Sequence, residues 1–234
     1  MSAPVVFWDF DGTLAQRPGM WSACLLECLA ETSGPELVIG RDEIRPFLQT
    51  GFRWHHHDRG HEHLVDADAW WAELEPLLAT ALRGAGVATA RAREAAQLVR
   101  LRFTEADKWV VFPGARACLR ATARAGWRNA ILSNHVPELD RLVTQLGLAS
   151  DVDTVFSSSV VGWEKPHPEF FRRALRAMGE PPRRWMIGDN PVADIAGAEA
   201  VGIPALLVHT KSPHGTTLGL EQAVATILAG PARH

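Results

Sequence analysis

The feature that most constrains this chain is a series of short apolar runs separated by segments with helical spacing. The first run, residues 4–8, ends at a Gly-containing turn and predicts a buried strand. Further strands are predicted at residues 129–132, 152–156, 185–187 and 203–208. Helices are predicted between and after them, at residues 115–125, 137–146, 168–178, 193–200 and 218–228. Such alternation predicts an α/β fold with a parallel sheet covered on both faces.

Residues 16–109 interrupt this alternation and predict an all-helical insert. Apolar residues recur there at helical spacing over residues 21–30, 68–82 and 88–103. Two short Pro-containing linkers, residues 16–19 and 108–113, join the insert to the rest of the chain. We expect them to act as a hinge that closes the insert over the sheet, with Gly114 taking up part of the change.

Composition excludes several classes of function. Of the 234 residues, 47% are hydrophobic and 22% are charged, which is typical of a globular protein. The formal net charge of −3 gives no basic excess for nucleic acid or an anionic membrane surface. The sequence lacks an apolar run of about 18 residues and a signal-peptide pattern, so we expect a cytoplasmic protein. Cys24, Cys28 and Cys118 lack metal-ligand spacing and are expected to be small core residues.

Polar side chains follow three of the predicted strands, where ligands of parallel sheets bind. Asp9 and Asp11 follow the first strand, Ser133 and Asn134 end the second, and Asp189 follows the strand at residues 185–187. Because the carboxyl ends of parallel strands meet at one edge, these side chains are expected to form a single site.

The carboxylates of this expected site point to a metal ion. Asp9 and Asp11 lie two residues apart and repel each other unless a cation neutralises them, and oxygen ligands favour magnesium. Such an ion would clamp phosphoryl oxygens. An acidic turn without function is the alternative. Asp194 could add a carboxylate, or it could be a residue favoured by the helix dipole.

The remaining polar residues are less specific by themselves. The hydroxyl of Ser133 and the amide of Asn134 could hold a phosphate, or they could cap the following helix. Lys165, before Pro166, could direct its ammonium at the site or be a solvated loop lysine.

Taken together and in order, four stretches resemble the motifs of the haloacid dehalogenase superfamily. They are residues 9–14 (Asp-Phe-Asp-Gly-Thr-Leu), Ser133-Asn134, Lys165-Pro166, and Gly188-Asp189 through Asp194. The helical insert resembles the helical cap of that superfamily. The resemblance, closest to the phosphoglycolate phosphatase-like branch, implies a Rossmann-like core of residues 1–15 and 110–234 with a cap of residues 16–109.

The resemblance also implies roles in catalysis and metal binding. Asp9 would be the nucleophile and a Mg²⁺ ligand. Asp11 would be the general acid and base, with its backbone carbonyl on the metal, and Asp189 would be a further ligand. A free Asp has a pKa of about 3.9, so Asp11 would need surroundings that raise its pKa.

Phosphate binding and support are implied for the other matched residues. Ser133, Asn134 and Lys165 would bind the transferring phosphoryl group, and Lys165 would also contact Asp9. Thr13 would support the loop of the nucleophile. Asp194 would orient a water molecule or Lys165.

The function implied by the resemblance is magnesium-dependent hydrolysis of a small-molecule phosphate monoester through an aspartyl-phosphate. A phosphomutase with the same motifs and a non-catalytic phosphate-binding regulatory module remain alternatives. The presence of Asp11 argues against dehalogenation, because haloacid dehalogenases lack a carboxylate at that place. The oligomeric state and the particular ester stay open.

A histidine cluster in the insert has no motif to explain it. Five of the nine residues 55–63 are His, namely His55, His56, His57, His61 and His63. We expect a solvated loop first. Contact with an anionic substrate and a transition-metal site are the alternatives.

Overall fold

The computed structural model describes residues 2–33, 39–209 and 218–230. Its strands are β1 (Val5–Trp8), β2 (Ala15–Gln16), β3 (Val110–Val111), β4 (Arg128–Ser133), β5 (Thr154–Ser157), β6 (Arg184–Gly188) and β7 (Ala205–Leu207). Its helices are α1 (Met20–Ser33), α2 (Arg41–Ile44), α3 (Ala67–Gly84), α4 (Thr89–Phe103), α5 (Ala115–Arg124), α6 (Leu139–Gln145), α7 (Ser158–Val161), α8 (Pro168–Ala177), α9 (Gly197–Glu199) and α10 (Leu220–Ala229).

A five-stranded parallel sheet in the order β5-β4-β1-β6-β7 forms the centre of the fold. In β1 the side chains alternate between the faces: Val6 and Trp8 join one core cluster, Val5 and Phe7 the other. All four are fully buried. A strand that is apolar at every position is what two covered faces require. The predicted α/β fold with a Rossmann-like parallel sheet is confirmed.

The buried ring nitrogen of Trp8 shows how the central strands are held together. Its Nε1 donates to the side-chain oxygen of Asn129 on β4, 3.0 Å away. The Asn129 amide donates in turn to the backbone oxygens of Leu119 and Asp151, each at 2.8 Å. Because a buried polar group is costly unless it is hydrogen-bonded, this network ties α5 and the sheet together.

The insert is helical, as predicted, and contains more elements than the sequence indicated. Helices α1, α3 and α4 match the three predicted helices within a few residues. Helix α3 begins where the Asp66 side chain accepts a hydrogen bond from the Ala69 amide at 3.0 Å. Helix α2 and the 3-10 turns at Arg45–Leu48, Arg53–His56 and Glu62–Leu64 were not predicted.

The two linkers are paired, which the sequence did not predict. Strands β2 and β3 form an antiparallel ribbon in which Ala15 faces Val111 and Gln16 faces Val110. A ribbon of two residues per strand is too short to give a sequence periodicity. It brings both ends of the insert together at one point. The division into core and cap at residues 15/16 and 109/110, and the hinge motion, stay predictions.

The cysteines and the helices bear on two further expectations. Cys24, Cys28 and Cys118 are free thiols and are buried, so the expectation of small core residues is confirmed. Within residues 2–33, 39–209 and 218–230, none of the helices has the length and hydropathy that a bilayer crossing requires.

Candidate active site

The ends of β1, β4 and β6 meet at one cavity of about 450 Å³. Strand β1 lies between β4 and β6, so the residues that follow these strands become neighbours. The cavity lining includes seven of the eight predicted site residues: Asp9, Asp11, Ser133, Asn134, Lys165, Asp189 and Asp194. Thr13 does not line it. The expectation that distant strand ends form one site is therefore met in the structure.

The carboxylate of Asp9 is the meeting point of the cavity's hydrogen bonds. Its Oδ1 accepts from Ser133 Oγ and from Lys165 Nζ, both at 2.7 Å. The Lys165 ammonium also contacts Asp194 Oδ1 at 2.5 Å. Burial by itself lowers the pKa of Lys165, but the Asp194 and Asp9 carboxylates outweigh burial and raise it. Lys165 is therefore a fixed cation between two carboxylates.

Asn134 holds the backbone of Lys165. Its Oδ1 accepts from the Lys165 amide at 2.7 Å, and its Nδ2 donates to the Lys165 carbonyl oxygen at 2.9 Å. This pair of bonds occupies both polar ends of the Asn134 side chain. A contact between Asn134 and phosphate stays a prediction, whereas the contact with Lys165 was not predicted.

Asp189 lies opposite Asp9 and is packed against the turn at Gly12. Gly12 has a φ of +86°, and a Cβ at this position would lie 2.4 Å from Asp189 Oδ2. Only glycine fits such a close approach in this backbone conformation. One carboxylate oxygen each of Asp9, Asp189 and Asp194 lie within 4.8 Å of one another and could hold a metal ion.

The three carboxylates of this cluster carry more negative charge than the nearby Lys165 neutralises. Burial, Asp9 and Asp194 raise the pKa of Asp189 to about 7. Burial and Asp9 also raise the pKa of Asp194 to about 6, although Lys165 opposes the change. Carboxylates that cannot all be ionised together are what a bound cation would relieve.

The surroundings of Asp11 favour the protonated form of its carboxyl group. Burial and the neighbouring Asp9 and Asp189 carboxylates raise its pKa to about 8, against the opposing effect of Lys165. The carboxyl group of Asp11 is not part of the three-carboxylate cluster. A neutral carboxylic acid beside an ionised one is suited to proton donation. The general-acid role that the family resemblance implies for Asp11 requires a raised pKa of this kind.

Asp194 is fixed by the unusual helical turn that carries it. The sequence predicted a helix at residues 193–200, whereas the structure has a π-helical turn at Pro191–Ala196 followed by α9. The Asn190 side chain caps this turn by accepting from the Val192 and Ala193 amides, each at 2.9 Å. The Asn190 amide donates to Asp194 Oδ2 at 2.9 Å. Asp194 is therefore aimed at Lys165.

Thr13 contributes through its backbone. Its carbonyl oxygen lies 3.3 Å from His209 Nε2, and its amide donates to the Phe10 carbonyl oxygen at 3.3 Å. Among the described residues its buried hydroxyl has no hydrogen-bond partner. The support of the nucleophile loop by this side chain stays a prediction.

The outer part of the cavity is largely apolar and comes from the insert. Its lining there consists of Met20, Trp21, Trp54, His57 and Phe103. The Trp21 and Phe103 rings are stacked with their centroids 4.1 Å apart. Substrate contact by the cluster that contains His57 was one of the alternatives, whereas motif reasoning missed Trp21 and Phe103, because aromatic residues at helical spacing are equally typical of a core.

The histidine cluster divides into three kinds of environment. His55, His56 and His63 are exposed, as expected of a solvated loop. His57 lines the cavity. His61 is fully buried, so the expectation of a solvated loop is wrong there. The metal cluster found among the described residues contains no histidine.

His135 is a buried histidine beside the site that no motif indicated. It is 6% exposed and is surrounded by Phe10, Phe103 and Trp109 at centroid distances of 5.5, 5.9 and 5.3 Å. Burial lowers its pKa to about 4, against opposing effects of the Val136 backbone and Asp9. The imidazole is therefore neutral in the folded protein at ordinary pH.

On acidification, the variant His135→Phe is expected to gain unfolding free energy relative to the wild type. The unfolded chain protonates this residue below about pH 6.5, whereas the folded chain resists until about pH 4. The contribution of His135 to the unfolding free energy of the wild type therefore falls as the pH drops through this window, by about 2 kcal/mol between about pH 7 and about pH 5. Urea unfolding of both proteins at both pH values measures the difference, with exposed His63→Gln as control. An identical pH dependence in wild type and His135→Phe would contradict the assignment.

Comparison with known proteins gives consistent results. The sequence profile of the haloacid dehalogenase-like hydrolases matches residues 3–202. The chain is 35% identical over 218 residues to a phosphoserine phosphatase of Thermus thermophilus, covering 86% of each chain. It is 35% identical over 176 residues to the human haloacid dehalogenase-like hydrolase domain-containing protein 3, covering 71% of this chain and 69% of the relative. The magnesium-bound HAD-hydrolase YfnB of Bacillus subtilis shares the fold, with a TM-score of 0.71 at 17% identity over 97% of this chain and 99% of YfnB.

Proposed function

The chain belongs to the haloacid dehalogenase-like hydrolase family, and we propose that it hydrolyses small-molecule phosphate monoesters through a phosphorylated Asp9. Several of its named relatives are phosphatases, among them the phosphoserine phosphatase and a glyceraldehyde 3-phosphate phosphatase of Methanothermobacter thermautotrophicus. The observation that carries the proposal is the Asp9 carboxylate, held by Ser133 and Lys165 beside Asp11, whose pKa burial and neighbouring carboxylates raise.

The proposed reaction has two displacements at phosphorus. An oxygen of Asp9 attacks the phosphorus atom, and the bond to the alcohol oxygen breaks while Asp11 donates its proton to that oxygen. Asp11, now ionised, takes a proton from water, which attacks the phosphorus atom and releases Asp9 and inorganic phosphate. A carboxylate nucleophile thus divides one difficult step into two easier ones.

Mg²⁺ is the proposed cofactor, and the donor set fits it. Asp9 and Asp189 would supply oxygen ligands, as a hard cation requires, and the backbone carbonyl of Asp11 is a proposed third ligand. Because Gly12 has no side chain, the Asp189 carboxylate can lie directly against this turn. When bound, the ion would neutralise phosphoryl charge. Asp194 is part of the same carboxylate cluster, but its contact with Lys165 supports a positioning role.

The alcohol part of the substrate is proposed to lie in the apolar half of the cavity. Trp21, Trp54 and Phe103 face that half and lie on the insert. The cavity volume of about 450 Å³ suits a small molecule rather than a macromolecule. This placement leaves the phosphoryl group at Asp9, where Lys165 and Ser133 surround it.

A phosphate-release screen tests the proposed function. Purified protein is incubated with a panel of monoesters that includes O-phosphoserine, phosphoglycolate, glyceraldehyde 3-phosphate and p-nitrophenyl phosphate, with Mg²⁺ or with EDTA. We expect release of inorganic phosphate from at least one ester with Mg²⁺ and its loss with EDTA. Turnover that is unaffected by EDTA would contradict the cofactor assignment. Transfer of the phosphate within a sugar without release would identify a mutase.

Asp11→Asn is expected to slow the hydrolysis of different phosphate esters to different extents. Loss of a general acid typically costs about 10²- to 10⁴-fold, and we expect a loss of this size in kcat/KM for an alkyl monoester. With p-nitrophenyl phosphate the first step should be nearly unaffected, because p-nitrophenolate leaves without a proton. Burst kinetics on both substrates measure the contrast. Equal losses in the first step would exclude Asp11 as the general acid.

A further inference from the structure

His61 and Glu164 form a buried contact between the insert and the segment that carries Lys165. His61 Nε2 lies 3.2 Å from Glu164 Oε1, and the two side chains are 1% and 2% exposed. Among the described residues, neither the other carboxylate oxygen of Glu164 nor either ring nitrogen of His61 has a hydrogen-bond partner, so the two side chains meet as a close polar contact. Because a buried carboxylate is costly without a compensating group, loss of the polar His61 ring would leave Glu164 less well compensated. Burial lowers the pKa of Arg53 and Glu164 opposes this, so the Arg53 guanidinium is a further neighbour.

Close backbone packing fixes the same two segments against each other. The His61 amide donates to the Gly162 carbonyl oxygen at 2.8 Å. A Cβ on Gly60 would lie 2.7 Å from the Trp163 ring, and a Cβ on Gly162 would lie 2.8 Å from Glu62 Cγ. Two glycines, one on each side of the contact, therefore allow an approach that other residues would prevent. The insert segment has little freedom to shift along the core segment.

The contact ends one residue before Lys165. On one side, the Asn134 amide binds the Lys165 backbone with two hydrogen bonds. On the other side, the chain is held at Glu164 by His61. The ammonium of Lys165 then reaches Asp9 at 2.7 Å. Lys165 is thus anchored from both sides, and one of the two anchors belongs to the insert.

The same insert segment reaches the apolar half of the cavity. Trp54 and His57 line the cavity, and His61 follows His57 by four residues. A group seated against Trp54 or His57 therefore contacts the segment that holds Glu164. Contacts with a remote part of a substrate can in this way serve the reacting centre.

We propose that His61 is a positioning residue for Lys165, acting through Glu164, and that residues 54–61 link the alcohol side of the cavity to that lysine. This inference rests on the proposed function, since the place of Lys165 matters when Asp9 accepts a phosphoryl group. His61 touches neither the substrate nor the reacting atoms. It keeps the lysine at the distance that Asp9 requires.

The test compares kcat and KM of His61→Leu, Glu164→Gln and wild type on p-nitrophenyl phosphate with Mg²⁺. His61→Leu removes the partner of Glu164, and Glu164→Gln removes the buried charge without changing the volume. Both are expected to lower kcat about tenfold and to leave KM within about twofold. A misplaced Lys165 weakens stabilisation of the transition state more than it weakens binding of the substrate. The exposed His63→Gln, in the same segment, should match the wild type.

The outcomes separate this inference from the proposed function. Wild-type kcat in folded His61→Leu and Glu164→Gln, with only a lower melting temperature, would overturn the inference and leave the proposed function standing. Where His61→Leu does not fold, Glu164→Gln decides alone by the same criterion. A wild-type protein without turnover on any ester would overturn the proposed function and the inference together.

Discussion

Replacing Asp9 by Asn is expected to lower kcat on the order of 10⁴-fold or more, since removal of a nucleophile has effects of this size. The carboxamide has nearly the same shape and can still accept a hydrogen bond from Ser133 at the position of Oδ1. It cannot attack phosphorus as an anion, and it is a poor ligand for a hard cation. Steady-state phosphate release with Mg²⁺ measures the loss.

The control for this variant separates chemistry from folding. Asp9→Asn removes one of three crowded carboxylates, so its unfolding free energy should not be below that of the wild type. Asp42→Asn makes the same change at a side chain that is 95% exposed and should keep wild-type kcat. If folded Asp9→Asn retained about a tenth or more of the wild-type kcat, Asp9 would be excluded as the nucleophile.

Replacing Lys165 by Met should affect both activity and stability. The ammonium contacts Asp9 at 2.7 Å and Asp194 at 2.5 Å, and all three side chains are buried. Removing the cation leaves two buried carboxylates without their partner, which costs about 3 kcal/mol or more of unfolding free energy. We expect kcat to fall by about 10²- to 10⁴-fold, because the charge that offsets the phosphoryl oxygens is lost.

The stability loss in Lys165→Met should depend on pH in a definite direction. Without the ammonium, the pKa of Asp194, already raised to about 6, rises further, so folding favours its protonated form. The variant therefore becomes less unstable relative to the wild type as the pH falls from about 8 to about 5. Urea unfolding across this range, without Mg²⁺, measures the gap, with the exposed Lys108→Met as control. A difference in unfolding free energy between Lys165→Met and the wild type that grows as the pH falls would contradict the buried ion pairs.

The sheet and the acidic half of the site could be predicted because their signals are local. The run at residues 4–8 is apolar at every position and ends at a turn, which is typical of a strand with two covered faces. Parallel strands end at one edge, so Asp9 and Asp189 could be placed together without knowing the strand order. The raised pKa of Asp11 was expected from the assigned role, and burial together with two neighbouring carboxylates provides it.

The insert's share of the site could not be predicted, because it depends on packing between segments far apart in the chain. Trp21 and Trp54 face the cavity, whereas Trp71, which has a similar pattern, is buried in the core. His61 and His63 lie two residues apart in a polar stretch, and only packing against the core segment that contains Gly162 and Glu164 decides that one is buried. His135 comes directly after the Ser133-Asn134 motif, but its buried surroundings are formed by three aromatic rings from other segments.

Direct detection of the phosphorylated residue tests the central claim, that Asp9 takes the phosphoryl group. Asp11→Asn, mixed with p-nitrophenyl phosphate and Mg²⁺, should form the aspartyl-phosphate and hydrolyse it slowly, because the base for the second step is missing. The reaction is quenched in acid and reduced with borohydride, and the peptide that contains residue 9 is sequenced by mass spectrometry. The account predicts homoserine at position 9 and intact aspartate at 189 and 194. An unmodified Asp9, with nitrophenol released in a full burst, would contradict it.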